Sequence, residues 1–320
     1  MSRPTILIGE SRFAPAARAI LERVGSVLDF ETPAVFADRL TDVEAVVVGL
    51  EVHLRADLLS QATRLRVIAS RTSQLRHLDV DEAARRDIAV LSIEPGAPAL
   101  LDTSSTAEEA VALLLALVRN VPWAFDAVKD ERWERVRYGG RELRAKTIGL
   151  VGFGRLGRLV ARYAQAFEMR VLVHDPHVDD ADIAAHGAEA TTLEVLLRES
   201  DVVSLHCTWS DDTRGLIGAR ELGLMRPSAV LINTARGEIT DEAALLAALE
   251  SGSIAGAAVD TLAGELPDGA HLVGNPLVEY ARNHENLIVL PHLGGATEEA
   301  TERTQVFISE KLARWLEAHE

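Results

Sequence analysis

The chain is 320 residues long, 48% hydrophobic, and carries a formal net charge of −16 with a single cysteine. That length exceeds one modest core and implies two domains, while the acidic balance argues against a general affinity for nucleic acid or anionic membrane surfaces, which need a surplus of Lys and Arg. One cysteine excludes an intrachain disulfide, no Cys/His spacing matches a zinc site, and no window approaches the roughly 20 apolar residues of a membrane span, so neither a metal nor a membrane partner is expected. The opening "MSRPTILIGE" reaches a strand-like run without the apolar core and cleavage site of a secretory signal, so a cytoplasmic protein acting on a small molecule is the expectation.

In chain order, short Val/Ile-rich runs alternate with amphipathic Ala/Leu/Arg-rich segments, the pattern of parallel strands joined by crossover helices, and the fold class is α/β. Strands are predicted near Ile6 to Ile8, Ala45 to Val48, Val67 to Ser70 and Ala89 to Leu91, with helices beginning near Pro15, Ala56 and Val80. "EPGAPALLDTSST" breaks the rhythm. From about Ser104 to Asn120 follows a segment too apolar all round for a surface helix, which makes it the expected hinge and interdomain helix. Beyond a polar connector, "FDAVKDERWERVRYGGREL", strands recur at Ile148 to Val151, Arg170 to Val173, Val202 to Leu205, Ala229 to Ile232, Gly256 to Val259 and Leu287 to Leu290, six in the rhythm of a doubly wound sheet. The final "TEEATERTQVFISEKLARWLEAHE" is an amphipathic helix with no strand behind it, expected to pack on the first domain.

"GLVGFGRLGR" sets Gly152, Gly154 and Gly157 as GxGxxG between a strand and a helix. A lone GxGxxG is a weak signal, but that context is where the chemistry needs it. The first glycine permits the tight turn, the second lets the backbone approach a pyrophosphate, and the third lets helix and strand pack closely; the helix N-terminus offers N–H groups to the anion. Asp175 falls eighteen residues after Gly157 at the end of the next strand, near the spacing of the acid that binds the adenosine ribose. A carboxylate there favours NAD over NADP, and neither Pro176 nor His177 supplies an arginine for a 2′-phosphate.

In an open α/β sheet the ligand lies beyond the carboxyl ends of the strands. Past the later strands the sequence places Arg236 in "TARGE", Asp260 and Glu265 in "DTLAGE", and His292 in "PHLGG". A guanidinium grips a carboxylate or polarises a carbonyl. Imidazole exchanges a proton near neutral pH. A carboxylate on its far nitrogen orients it and favours its charged form. Hydride exchange with an oxo acid is the chemistry this trio suits, with Arg236 as anchor, His292 as acid/base and Glu265 as its partner. His206 and Cys207, also past a strand, are expected to pack beside the cofactor without a metal or nucleophilic role.

These motifs, with "AEEAVALLLALVRNV", "DTRGLIG" and "LINTARGEITDEAALLAALESGSIAGAAVD", resemble the D-isomer-specific 2-hydroxyacid dehydrogenases, and the likeness covers well over half of the chain. The resemblance implies a Rossmann NAD domain at 104–292, inserted into a smaller flavodoxin-like substrate domain built from 1–103 and 293–320. It further implies an active-site cleft between the two and a homodimer formed through the NAD domains. By the same likeness Thr106, Arg155, Leu156, Asp175, Thr208, Thr234, Ala235, Asp260, Gly294 and Gly295 line NAD(H) together with His292, which also faces substrate. Arg236, His292 and the loop Thr72, Ser73, Gln74 are the expected substrate contacts, for a small anionic substrate.

The chain departs from the family at that loop, where Thr72 and Gln74 stand at the usual glycine positions. Arg71, Arg76 and His77 nearby suggest a polar or doubly anionic substrate. Thr208 replaces a usual proline, and the proline that normally follows the glutamate is displaced to Pro267. Glu51 stands in "GLEVHL", where phosphoglycerate dehydrogenases carry arginines, and their added regulatory domain is not seen, so that substrate is not the first expectation. Two alternatives remain: a dehydrogenase of a phosphonate- or phosphite-type substrate, and a non-catalytic, NAD-responsive corepressor-like module. The retained Arg, Glu and His set weighs against the second.

Overall fold

The structure is a computed structural model that describes residues 3–72, 75, 77–94, 96–97, 99, 103–266 and 269–319. The chain divides into two compact units, Met1–Thr103 with Thr297–Glu320, and Ser104–Ala296. The second division falls at 296/297, four residues beyond the 292/293 expected, just ahead of Thr297, which caps the last helix by accepting the Ala300 N–H at 3.2 Å.

In the first unit, β1 (Thr5–Gly9), β2 (Ser26–Leu28), β3 (Ala45–Val48), β4 (Val67–Ser70) and β5 (Ala89–Leu91) form a parallel sheet of order β2-β1-β3-β4-β5, the flavodoxin-like arrangement. The central strands are buried on both faces and so read as unbroken apolar runs, "AVVV" in β3 being fully buried. Helices α1 (Pro15–Val24), α2 (Pro33–Arg39), α3 (Ala56–Leu59) and α4 (Val80–Arg85) connect them. The chain-terminal helix Glu298–Ala318 belongs to this unit, burying Ile308, Leu312 and Leu316 with Ile6, Val47 and Val67. Sequence reading passes over β2 and α2: β2 is a partly exposed edge strand of three residues, and α2 makes only two turns, from Thr32 as cap through Pro33 in the first turn.

The second unit opens with α5 (Ser105–Val118) and α6 (Val121–Lys129). The expected single helix to Asn120 ends early, because Asn120 takes a left-handed φ of 55° and Pro122 starts a new helix. Part of the apparent polar connector is therefore helical. The sheet then runs β6 (Thr147–Val151), β7 (Arg170–His174), β8 (Glu189–Ala190), β9 (Val202–Leu205), β10 (Val230–Asn233), β11 (Gly256–Val259) and β12 (Leu287–Val289). Its order is β12-β11-β10-β9-β6-β7-β8, all parallel, so the direction of winding reverses between β6 and β9. Seven strands replace the expected six, since the two-residue edge strand β8 is too short to show a pattern. Helices α7 (Arg155–Ala166), α8 (Asp180–Ala185), α9 (Leu193–Glu199), α10 (Ala219–Leu224), α11 (Glu242–Glu250) and α12 (Pro276–Ala281) complete the unit, and Glu298–Ala318 is α13. Alternate residues of β6 serve opposite faces: Ile148 and Leu150 join one apolar layer and Val151 the other.

Among the described residues no single helix is long and apolar enough to cross a membrane, and no group of three or more His, Cys, Asp or Glu side chains converges as a metal site.

Candidate active site

The glycine loop lies at the β6/β9 reversal, the position where a doubly wound sheet opens a crevice. Gly152 has a φ of 97°, and a Cβ there would lie 2.5 Å from the Cys207 nitrogen, so turn and neighbouring loop both demand glycine. At Gly157 a Cβ would fall 2.3 Å from the Gly152 carbonyl oxygen, which lets α7 start hard against the turn. Gly154 is different: a Cβ there would meet nothing within 4 Å. The space above the N-terminus of α7, beside Arg155 and Leu156, is open, as approach of a pyrophosphate requires. The residues fit a dinucleotide.

Asp175 follows β7 directly, and its carboxylate is held against this loop, accepting the Phe153 N–H at 2.7 Å and the His177 N–H at 2.9 Å. Across the crevice, His206 Nε2 lies 2.9 Å from Ser204 Oγ while its Nδ1 is enclosed with no hydrogen-bond partner among the described residues. Burial pushes this imidazole down to about 4, so it is neutral at physiological pH. Burial likewise pushes the Cys207 thiol up to about 11, which leaves it protonated and a poor nucleophile. Thr208 is exposed, its carbonyl accepting the Thr213 hydroxyl at 2.8 Å. Thr234 is buried with its hydroxyl unpartnered among the described residues, and the Ala235 N–H is taken by Asn233 Oδ1 at 3.0 Å.

Three strand-end loops then bring the proposed acid/base residues together. His292 Nδ1 lies 2.6 Å from Glu265 Oε2, which leaves Nε2 as the nitrogen available to a substrate. His292 has a left-handed φ of 57°, an uncommon conformation for a side-chain-bearing residue. Asp260 holds the backbone in that state. Its carbonyl accepts the His292 N–H at 2.8 Å, and its carboxylate accepts the Leu293 and Gly294 N–H groups at 2.6 and 2.8 Å. Burial pushes the Asp260 carboxyl up, and those two N–H groups oppose the shift. Thr106 of α5 donates to the Gly294 carbonyl at 3.0 Å, pinning the same loop from the helix side, while Gly295 stands in open space.

Glu265 is fixed in turn. Its other oxygen accepts the Leu262 N–H at 2.8 Å, and Glu242, at the start of α11, accepts the Ala263 N–H at 2.6 Å. Burial pushes the Glu265 carboxyl up, but the His292 hydrogen bond and charge, the Leu262 N–H and the charge of Arg236 together bring it below its ordinary value. Arg236 sits on the adjoining turn, where Asn233 Nδ2 donates to its carbonyl at 2.9 Å. That turn packs directly on the Glu265 loop: a Cβ on Gly237 would lie 2.1 Å from the Leu262 carbonyl carbon. Guanidinium, carboxylate and imidazole are thus assembled in one unit.

Sequence reasoning passes over three residues here. Asn233 ends the apolar run "AVLIN" and is almost wholly buried, the signature of a polar side chain with a shaping task. Glu242 reads as an ordinary first-turn acid after the cap Asp241, and its reach to Ala263 has no sequence signal. Glu109 of α5 is a further partly buried carboxylate, pushed up by burial and by the charge of Asp260 and drawn down by His292.

The expected substrate loop belongs to the other unit. Thr72 follows β4, with its hydroxyl 3.0 Å from Ser70 Oγ; Ser73, Gln74 and Arg76 lie outside the described residues, as does Pro267. The charges expected of Arg71 and His77 are not available as the sequence implies. Arg71 Nε donates to the buried Glu10 at 2.6 Å, and Gln305 of α13 donates to the same carboxylate at 3.0 Å. Burial pushes the Glu10 carboxyl up while Arg71 and Gln305 oppose it. His77 is 2% exposed, lies 3.1 Å from Ser70 Oγ, and is pushed down to about 4 by burial, with His53 and Arg71 acting in the same direction. An ion-paired guanidinium and a neutral imidazole lend this loop less free charge than the sequence implies.

Comparison with known proteins agrees with this architecture. The sequence profile described as "D-isomer specific 2-hydroxyacid dehydrogenase, NAD binding domain" matches residues 111–294. The chain is 37% identical to a glyoxylate reductase of Aeropyrum pernix over 324 aligned positions, 98% of this chain and 92% of that protein. It is 35% identical over 278 residues to the D-3-phosphoglycerate dehydrogenase of Bacillus subtilis, covering 87% of this chain but only 50% of that protein, so it spans about half the length of such relatives. Among solved structures, a D-lactate dehydrogenase of Aquifex aeolicus complexed with NAD and lactic acid superposes with a TM-score of 0.76 at 28% identity, covering 98% of this chain and 95% of the other. With a Rossmann unit that fits NAD(H), a flavodoxin-like unit, and this likeness along nearly its whole length, the chain belongs to the D-isomer-specific 2-hydroxyacid dehydrogenase family.

Proposed function

We propose that the protein is an NAD-dependent oxidoreductase that interconverts a small D-2-hydroxy acid and its 2-oxo acid, with Arg236, Glu265 and His292 as its catalytic residues. The observation that carries this reading is the 2.6 Å contact between His292 Nδ1 and Glu265, in the same loop cluster as Arg236. A bound nicotinamide dinucleotide supplies the hydride in one direction and accepts it in the other. Residues Gly152, Gly154 and Gly157 with the start of α7 hold its pyrophosphate, and Asp175 holds its adenosine ribose. Arg236 anchors the substrate carboxylate and polarises the ketone by its fixed charge. His292 Nε2 gives a proton to the ketone oxygen during reduction and takes it from the hydroxyl during oxidation, while Glu265 keeps the imidazole oriented. Thr72, Ser73 and Gln74 contribute to substrate choice.

The test is to follow NADH absorbance, supplying NADH with glyoxylate, pyruvate and hydroxypyruvate, and NAD+ with phosphite and phosphonates. Turnover of a 2-oxo acid is expected. NADH binding with no turnover of any substrate would favour the non-catalytic alternative, and turnover confined to the phosphorus compounds would favour the other.

We further propose a homodimer formed through the second unit. On α6, Val121, Phe125 and Val128 recur at helical spacing and are 52%, 64% and 52% exposed, and Trp133 beyond them is 85% exposed. Exposed apolar side chains in such number on a highly charged protein are what a second copy would cover.

A further inference from the structure

The glycine loop carries a cation that the proposed chemistry leaves unused. Arg158, one residue beyond Gly157 on α7, donates from Nε to the Phe153 carbonyl at 3.1 Å and lies 5.1 Å over the Phe153 ring. Phe153 is the same residue whose N–H is bound by Asp175. Arg158 and the proposed ribose acid are thus both polar neighbours of one loop residue. The rest of the guanidinium is turned toward α8. Nη1 and Nη2 donate to Asp182 Oδ1 and Oδ2 at 3.1 and 2.6 Å, a forked pair. Nη1 also lies 3.1 Å from His186 Nε2, and His186 Nδ1 lies 2.8 Å from the Asp182 carbonyl. That second contact makes Nδ1 the donor and leaves Nε2 to accept from Arg158.

We propose that Asp182 is a specificity-determining residue: by occupying the fork of Arg158 it withholds a cation from the adenosine end of the dinucleotide and so reinforces the choice of NAD(H) over NADP(H). The inference rests on the reading of Asp175 as the ribose acid. A 2′-phosphate beside Asp175 meets a like charge, and Arg158, a nearby group able to offset that charge, is already bidentate to another carboxylate. Discrimination is therefore built twice, from a repulsive group in place and an attractive group removed. The Asp182 carboxyl is held below its ordinary value, chiefly by its hydrogen bonds to Arg158, as expected of a closed pair.

The test is direct binding, by quenching of intrinsic tryptophan fluorescence in the full chain titrated with NADH and with NADPH. Asp175→Ala should weaken NADH about tenfold, and Asp182→Asn alone should leave NADH within about twofold. Adding Asp182→Asn to Asp175→Ala should tighten NADPH by about tenfold relative to Asp175→Ala alone, with a steep salt dependence. Adding Arg158→Gln to that pair should abolish the gain. Asp182→Ser provides the same comparison should Asn disturb α8, and thermal melting of each variant verifies folding. Unchanged NADH affinity in Asp175→Ala would refute the ribose assignment on which the proposal stands. With that assignment upheld, two results would overturn the role of Asp182: no NADPH gain in the double variant, or a gain that survives Arg158→Gln, which would make Asp182 a simple repulsive charge.

Discussion

Replacing Glu265 by glutamine isolates the charge of the residue that supports His292. In Glu265→Gln the new side chain is close to isosteric and retains an oxygen for the Leu262 N–H now bound at 2.8 Å, so the loop should survive. What is lost is a charge-assisted hydrogen bond at 2.6 Å between groups whose side chains are only 27% and 30% exposed. Such bonds are worth about 1.5–3 kcal/mol, and the partial burial argues for the full range, with little allowance for solvent screening. The carboxylate fixes which ring nitrogen faces the substrate and balances the charge that proton transfer places on the ring, so its removal should raise the barrier to proton transfer. At about pH 7.5 the rate of 2-oxo acid reduction should fall by about 10- to 100-fold. The assay is kcat/KM from NADH absorbance, with NADH affinity measured separately and expected to stay within about twofold. A rate within about twofold of the parent would refute the argument that Glu265 acts through His292.

The glycines of the dinucleotide loop should separate. Gly154→Ala, whose new methyl meets no protein atom, should leave the melting temperature nearly unchanged and weaken NADH by about tenfold or more, whereas Gly152→Ala, at a φ of 97° and 2.5 Å from backbone, should lower the melting temperature markedly. Equal effects of the two on stability would count against the open-space reading. His77 and His206 are each pushed down to about 4 from an ordinary value of 6.5, so the native state binds fewer protons than the unfolded state between those limits. Their contribution is present above pH 6.5 and is lost as pH falls toward 4, at a cost of about 2 kcal/mol each between about pH 7 and pH 5; urea unfolding of His77→Gln should show a correspondingly shallower acid dependence. Phe125→Asp with Trp133→Asp should shift the protein toward a monomer in sedimentation, and an unchanged mass would remove α6 from the interface.

Much of the second unit is legible in the sequence because its strands are buried on both faces and its chemistry sits at strand ends. "TIGLV" followed by Gly152 is a strand and a turn by apolar run and glycine spacing, and Arg236, Glu265 and His292 each closely follow such a run. What escapes is decided by tertiary contact. The edge strands β2 and β8 have three and two residues and too few positions to display a period. The break at Asn120 depends on one left-handed residue ahead of Pro122. The sequence also does not show that both oxygens of Asp260 hold the loop that bears His292, because a carboxylate beyond a strand can meet backbone N–H groups folded over it. Arg71 and His77 look like free polar groups in "SRTSQLRHLD", and only the fold reveals Glu10, Gln305 and Ser70 beneath them. Charge in a sequence says nothing about whether a partner lies far along the chain.

The most direct measurement of the central claim is a comparison of His292→Ala with the parent protein in two quantities, the rate of 2-oxo acid reduction and the dissociation constant of NADH. General acid/base catalysis by a positioned imidazole contributes about 10²–10⁴-fold, so the rate should fall by that factor while NADH binds nearly as before and the fold melts at the same temperature. A variant that reduces the substrate as fast as the parent, or that loses NADH and turnover together, would contradict the assignment of His292 as the proton donor.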